Sequence, residues 1–307
     1  MSGGPDSLAL LLLARAAYPG AIAAATVDHK LRAASAAEAE FVHALCERLA
    51  VPHDILTPSE GIAVTGNLQE QARALRYTLL HFWGGSGTLR GERPWRTEWV
   101  ATGHQQDDLA EGLVMRARRG AGVGGLAAMP VRRAMLPPIP GPSLVRPLLH
   151  WSRDELAKIV ADAGIDAIHD PSNQHPRFDR SRVRKLLASS PELPADRLAM
   201  AARNLRHAED ALEWATTREW SERCEIEAHE TVWLDAADLP YEILRRLALR
   251  AIDTVRFEFD LRGSWSGVGV DRLIAALDAG KATTLAGVAA RPGKRWRFTL
   301  APPRRSH

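Results

Sequence analysis

The chain has 307 residues, 46% hydrophobic and 25% charged, a composition that suits one large globular domain with a smaller one. Its net charge is only +3, but among the 40 basic residues only Lys30, Lys158, Lys185, Lys281 and Lys294 are lysines, and arginine's planar fork suits phosphates and stacked bases. The two cysteines, Cys46 and Cys224, form no C-x-x-C pair, so a disulfide framework, a zinc site and an iron–sulfur cluster have no support and a reducing cytoplasm is expected. No stretch approaches the roughly 18 apolar residues of a membrane helix. The run Leu8 to Leu13 is too short and lacks the flanks of a signal peptide, so no membrane partner is expected.

The chain opens on Ser2-Gly3-Gly4-Pro5-Asp6-Ser7, a tight turn feeding a helix to about Tyr18, with Asp6 and Ser7 expected to cap it. Such a turn presents free backbone N–H groups and the positive end of the helix dipole to a phosphate. It is not the commoner phosphate loop, because G-x-x-x-x-G-K-[ST] is absent. Ala21 to Val27 reads as a strand ending at Asp28, a carboxylate on the edge where open α/β sheets bind ligands. A helix over 33–49, a strand over His53–Leu56 and a helix over Leu68–Trp83 follow, the last carrying Arg73, Arg76 and Tyr77. Glycines at 84, 85, 87 and 91 with Pro94 mark a surface excursion over 84–98.

Trp99 to Thr102 reads as a strand running into a helix that continues through Arg119, on which His104, Asp108 and Glu111 fall at i, i+4 and i+7 on one face. One histidine and two carboxylates there suit Mg²⁺, with Asp108 as its ligand, or the neutralising of a departing phosphate. A glycine-rich basic loop follows Arg116, Arg118 and Arg119, and Ser152 with Glu155 forms a capping box for a helix to Ala163. Arg177, Arg180, Arg182, Arg184 and Lys185 bunch in a manner suited to anions. Beyond Leu187 a long helix to about Glu225, helices over 241–254 and 270–279, and a basic hairpin over 281–300 are expected. The boundary is placed at 187/188, near Pro191 and Pro194.

The ordered series resembles the tRNA(Ile)-lysidine synthetase family of PP-loop ATP pyrophosphatases. It runs through Ser2–Ser7, Val27-Asp28-His29, Asn67-Leu68-Gln69, Ala72-Arg73, Arg76-Tyr77, Thr102-Gly103-His104, Asp107-Asp108 and Glu111. It continues through Met115-Arg116, Arg119-Gly120, Gly124-Gly125-Leu126, Arg146-Pro147-Leu148-Leu149, Asp170-Pro171-Ser172-Asn173 and Arg180 to Arg184. The resemblance implies an α/β fold, a doubly wound and mainly parallel sheet of the adenine nucleotide alpha hydrolase type, with a smaller, mostly helical C-terminal domain at 188–307 that contacts tRNA. It implies a ligase that uses ATP and Mg²⁺ to adenylate the wobble cytidine of a CAU-anticodon isoleucine tRNA, then joins free L-lysine to its C2. It further implies ATP binding by Ser2, Gly3, Gly4, Pro5, Asp6 and Ser7, and catalytic roles for Asp28, His104 and Asp108. Arg73, Arg76, Arg119, Asn173, Arg180 and Arg182 become contacts to tRNA or the activated base, and a homodimer is compatible with the sequence. Three departures stand out: a hydrophobic strand is expected before the loop where Met1 directly precedes Ser2, and Gly112 and Ser181 replace an expected Thr and Asn. Other PP-loop adenylating enzymes (a tRNA thiolase or an amide synthetase) and a non-catalytic RNA binder are the competing readings.

Overall fold

The computed structural model describes residues 1–29, 35–58, 68–85, 97–168, 179–227, 231–261, 263 and 265–302. Asn173, the Asp170–Asn173 motif, Arg177 and residues 86–96 of the 84–98 excursion lie outside the described residues. The chain folds as two compact units, Met1–Arg206 and His207–His307.

The first unit begins with α1 (Pro5–Ala17), β1 (Ala24–Val27), α2 (Ser35–Arg48), β2 (His53–Leu56), α3 (Leu68–Gly85) and β3 (Trp99–Ala101). It continues with α4 (Gln106–Ala117), α5 (Val123–Leu126), β4 (Arg132–Ala134), β5 (Ser143–Val145), α6 (Arg153–Asp162) and α7 (Asp179–Ala188). β1 and β2 pair in parallel, from Ala24 opposite His53 to Val27 opposite Leu56. β5 lies between β3, which is parallel to it, and β4, which is antiparallel. The alternation of side chains along a strand divides the core into two layers. Ala24 joins Leu8, Leu11, Val42, Leu45, Leu156 and Val160 from α1, α2 and α6. Ala25 instead joins Tyr77, Leu80 and Trp83 of α3, together with Leu56, Val100 and Leu144. Helices therefore cover both faces, as a doubly wound α/β unit requires. β4 and β5 were not expected: they are three-residue strands flanking a proline-rich segment, β5 pairing with β3 from Trp99 opposite Ser143 to Ala101 opposite Val145, and β4 pairing with β5 alone.

α8 (Ala195–Arg223) runs unbroken through the division between the units. Leu198, Ala199, Ala202 and Leu205 pack with Leu109, Leu113 and Leu149, whereas Leu212, Ala215 and Trp220 belong to the second core. The division thus falls after Arg206 rather than at the prolines, because each half of one helix buries its apolar face in a different core.

The second unit adds β6 (Cys224–Glu227), β7 (Thr231–Leu234), α9 (Tyr241–Glu258), α10 (Val270–Asp278), β8 (Thr283–Leu285), β9 (Val288–Arg291) and β10 (Trp296–Leu300). Its sheet has the order β6-β7-β10-β9-β8, every neighbour antiparallel. One face packs Val232, Leu234 and Phe298 on α9 and α10; on the other, Arg295 and Arg297 lie over the Trp233 ring. The expected basic hairpin is present as β9 and β10, and the unit has more helix than strand, yet the five-stranded sheet organises it. No described helix is long and apolar enough to cross a membrane.

Candidate active site

Gly3 has φ +70°, in the left-handed region that glycine adopts without a steric penalty. Its carbonyl accepts the N–H of Ile168 at 2.9 Å, and a Cβ there would collide with the Ile168 side chain. Pro5 takes the first helical position and Gly4 is the N-cap, with no side-chain hydrogen bond closing the helix end. The expected capping by Asp6 and Ser7 is therefore corrected: Pro5 sets both residues inside the first turn. There Ser7 Oγ donates to the Gly4 carbonyl at 3.0 Å and accepts the Ser2 N–H at 3.3 Å. An uncapped helix start keeps its orphan N–H groups and dipole available to an anion.

The loop after β3 sits directly on this turn. A Cβ on Gly103 would lie 2.9 Å from the Asp6 carbonyl oxygen, so only glycine allows the two backbones to meet. His104 follows, half-buried, its Nδ1 2.8 Å from Thr102 Oγ1. Burial, then the charges of Arg146, Arg73, Arg180 and Arg76, push its pKa down to about 3, so the ring is neutral at pH 7. The expectation that His104 shares a helix with Asp108 and Glu111 is corrected. Gln105 is extended and caps α4 in a reciprocal box with Asp108, so the helix starts only at Gln106. His104 stands in the preceding loop, next to Asp6.

Asp108 Oδ2 accepts the Gln105 N–H at 3.0 Å, and Oδ1 accepts Arg180 Nη2. Asp6 Oδ1 is buried without a hydrogen-bond partner, and burial followed by the nearby Asp108 charge raises the Asp6 carboxyl to about 6. Asp6, with an unpartnered oxygen, and the neighbouring Asp108, whose charge Arg180 shares, stand beside a phosphate-binding turn and fit a magnesium ion, which takes one or two carboxylates and completes its shell with phosphate and water. Among the described residues no group of three or more His, Cys, Asp or Glu side chains forms a cage for a metal.

Behind Asp108, Glu111 is 1% exposed and accepts three guanidinium groups. Arg153 Nη2 and Arg184 Nε reach Oε1 at 2.9 Å each, and Arg180 Nε reaches Oε2 at 2.6 Å. Burial alone would raise the Glu111 carboxyl; hydrogen bonds from Arg184 and Arg180 overcome it and carry the pKa down to about 2. Asp107 is held by the Arg153 backbone N–H at 3.0 Å. Asp28, 8% exposed, closes β1 and accepts Ser35 Oγ at 2.7 Å.

Residues 1–190 match the family of PP-loop domains. Over 309 residues the chain is 41% identical to a tRNA(Ile)-lysidine synthase of Zymomonas mobilis, covering 99% of this chain and 88% of that one. The chain belongs to the tRNA(Ile)-lysidine synthase family. A second tRNA(Ile)-lysidine synthase, from Novosphingobium aromaticivorans, is 42% identical over 312 residues, covering 100% and 89% of the two chains. Among solved structures, the U34-tRNA thiolase NcsA of Methanococcus maripaludis, solved with its 4Fe-4S cluster, superposes with a TM-score of 0.53. At 17% identity over 68% of this chain and 71% of that one, the likeness is one of fold.

Within this lysidine synthase family chain the loop 2–7, His104, Asp108 and Arg180 converge, and Arg73 and Arg76 act on His104 through their charge. Arg119 and Arg182 do not join them. Both are exposed and share the Asp179 carboxylate, Arg119 Nη2 at 2.7 Å. Sequence reasoning counts Glu111 with Asp108 among carboxylates suited to Mg²⁺ or a departing phosphate, whereas the fold gives it to three arginines, and it misses Arg153, visible only as a residue inside a capping box. The bunching of arginines at 180–184 was the one available signal for the Glu111 cluster.

Proposed function

We propose that this chain joins free L-lysine to C2 of the wobble cytidine in the CAU anticodon of an isoleucine tRNA, in the cytoplasm, as a monomer or a homodimer. The C2 oxygen is first adenylated by ATP with release of pyrophosphate; the ε-amine of lysine then attacks C2 and expels AMP. The observation that carries this reading is the contact of Gly103 with Asp6, which sets His104 and Asp108 beside an uncapped helix start.

Ser2 to Ser7 receive the phosphates of ATP through backbone N–H groups and the helix dipole. Asp6 and Asp108 would hold Mg²⁺, which supplies neutralising charge for the departing pyrophosphate. Neutral His104 offers a hydrogen bond to the base without repelling the cationic lysine, whose amine needs a carboxylate partner; Asp28 and Asp108 are the carboxylates assigned to the site. Arg73, Arg76, Arg180 and Asn173, together with the exposed Arg119 and Arg182, contact the splayed anticodon loop or the activated base. Catalysis resides in 1–187, and 188–307 contacts tRNA through the Trp233, Arg295 and Arg297 face.

The test uses purified protein, Mg²⁺-ATP, radiolabelled lysine and an isoleucine tRNA transcript with a CAU anticodon, with a methionine tRNA in parallel. Label retained in the isoleucine transcript alone is the expected outcome. Equal labelling of both transcripts, or none with either while the protein is folded and binds ATP, would overturn the proposal.

A further inference from the structure

Two clusters of guanidinium groups stand out in the first unit. Arg153, Arg180 and Arg184 end on the Glu111 carboxylate. Arg73, Arg133 and Arg146 gather instead around Tyr77, itself 7% exposed. The guanidinium carbons of Arg73 and Arg133 lie 5.1 and 5.2 Å from its ring centroid, and its phenol stands beside Arg146. Ring faces hold guanidinium groups in place without neutralising them. Arg133 Nη1 donates to the backbone carbonyls of Ala134 and Met135, at 3.0 and 3.3 Å, and Arg146 Nη1 to that of Pro130 at 2.6 Å. Among the described residues none of the three has a carboxylate partner at ion-pair distance.

Arg146 is the decisive member. It sits at the end of β5, is 3% exposed, and its Nε has no acceptor among the described residues. A buried charge with an open donor and no counter-charge is costly unless an anion is supplied. The place is also distinct from the PP-loop. The charges that act on Asp6 are Asp108, Arg153, Arg184 and Asp107; those that act on His104 are Arg146, Arg73, Arg180 and Arg76. Gly103 sets the loop of His104 against Asp6, and the Thr102 N–H donates to the Val145 carbonyl at 3.0 Å, so the same loop also lies beside the strand end that carries Arg146.

We propose that Arg73, Arg133 and Arg146, set around Tyr77, form a second anion site that grips a phosphodiester of the RNA strand beside the nucleotide presented to His104. The site rests on the proposed function, because an RNA substrate brings a second phosphate that ATP does not. It turns a diffuse basic surface into a register device: one backbone phosphate is fixed, and the base next to it reaches the histidine.

The experiment measures binding of a CAU-anticodon isoleucine tRNA transcript, and separately of a non-hydrolysable ATP analogue, to the full chain and to R73A, R133A and R146K. Arg73 is exposed and Arg133 half-buried, so R73A and R133A report on the site even where R146K affects folding. Each substitution is expected to weaken tRNA binding about tenfold, the worth of one charge-assisted hydrogen bond. R73A and R133A each also lower the slope of log affinity against log salt by about 0.7, one phosphate contact on a single strand, whereas R146K keeps its charge and the parent slope. Affinity for the ATP analogue stays within about twofold of the parent. Unchanged tRNA affinity and slope in both R73A and R133A overturn the site while leaving the proposed function intact. A loss confined to the ATP analogue also overturns it, assigning the arginines to the nucleotide. A parent protein that binds no tRNA sinks the site together with the function it rests on.

Discussion

Replacing Glu111 by Gln tests the carboxylate that three arginines share. Removing one member of a buried ion pair costs about 3–5 kcal/mol, because the remaining charge stays in a poor solvent. Here the orphaned partners are only partly buried: the side chains of Arg153, Arg180 and Arg184 are 27%, 43% and 39% exposed. Water recovers part of their solvation, and Gln keeps the volume and one carbonyl acceptor, so a loss of about 2–3 kcal/mol is expected. For a unit the size of Met1–Arg206 this corresponds to a fall in Tm of roughly 4–12 °C. The pH dependence has a defined sign. The Glu111 carboxyl is lowered from 4.5 to about 2 by folding, so its contribution is complete above about 4.5 and is lost as pH falls toward 2. Urea unfolding of parent and variant, at pH 7 and in steps down to pH 3, reads both effects. The two stabilities should converge as the solution becomes acidic. A difference under about 1 kcal/mol at pH 7, or two parallel pH curves, would refute the reasoning.

Three further outcomes follow from the site. Gly3→Ala meets both a left-handed backbone, worth about 1–2 kcal/mol, and the Ile168 side chain. Calorimetry should show binding of an ATP analogue weakened by at least about tenfold, and parent-like affinity would remove the loop from the site. His104, lowered from 6.5 to about 3, should stay neutral to pH 5 in imidazole NMR spectra; because the unfolded ring protonates first, its contribution to stability is lost as pH falls from 6.5 toward 3. A ring that titrates near 6.5 contradicts the arginine surroundings described here. Gly112→Thr places a Cβ 3.0 Å from Arg116 Nη1, whose neighbour Nη2 donates to the Ala127 carbonyl at 3.3 Å. The flexible guanidinium can move aside, so the expected cost is below about 1 kcal/mol in thermal melts, and a loss of several would show Arg116 to be rigidly held.

Much of this architecture is legible wherever the determinant is local. The strand His53–Leu56 and the capping box of Ser152 with Glu155 fall where alternation and cap chemistry set them. The PP-loop is recognised because its glycines and proline are consecutive. The start of α4 escaped because Gln105, outside the preferred N-cap residues, makes the cap. The β6–β7 hairpin escaped because the amphipathic pattern of α8 runs straight up to Arg223 without a breaker. The Glu111 cluster depends on arginines 42, 69 and 73 residues further along, and no spacing rule reaches that far. Composition announced the arginines; only the fold shows which of them meet the Glu111 carboxylate and which gather at Tyr77.

The hydrogen bond from Ile168 N–H to the Gly3 carbonyl has a consequence for synthesis. The nucleotide loop is made well before its packing partner, which lies more than half of these 307 residues further along the chain. A contact of such sequence separation forms late and slowly. A nascent chain therefore carries its recognition motif before it has a shaped nucleotide pocket, which it acquires only once Ile168 has emerged, so growing chains halted short of that residue should take up no ATP.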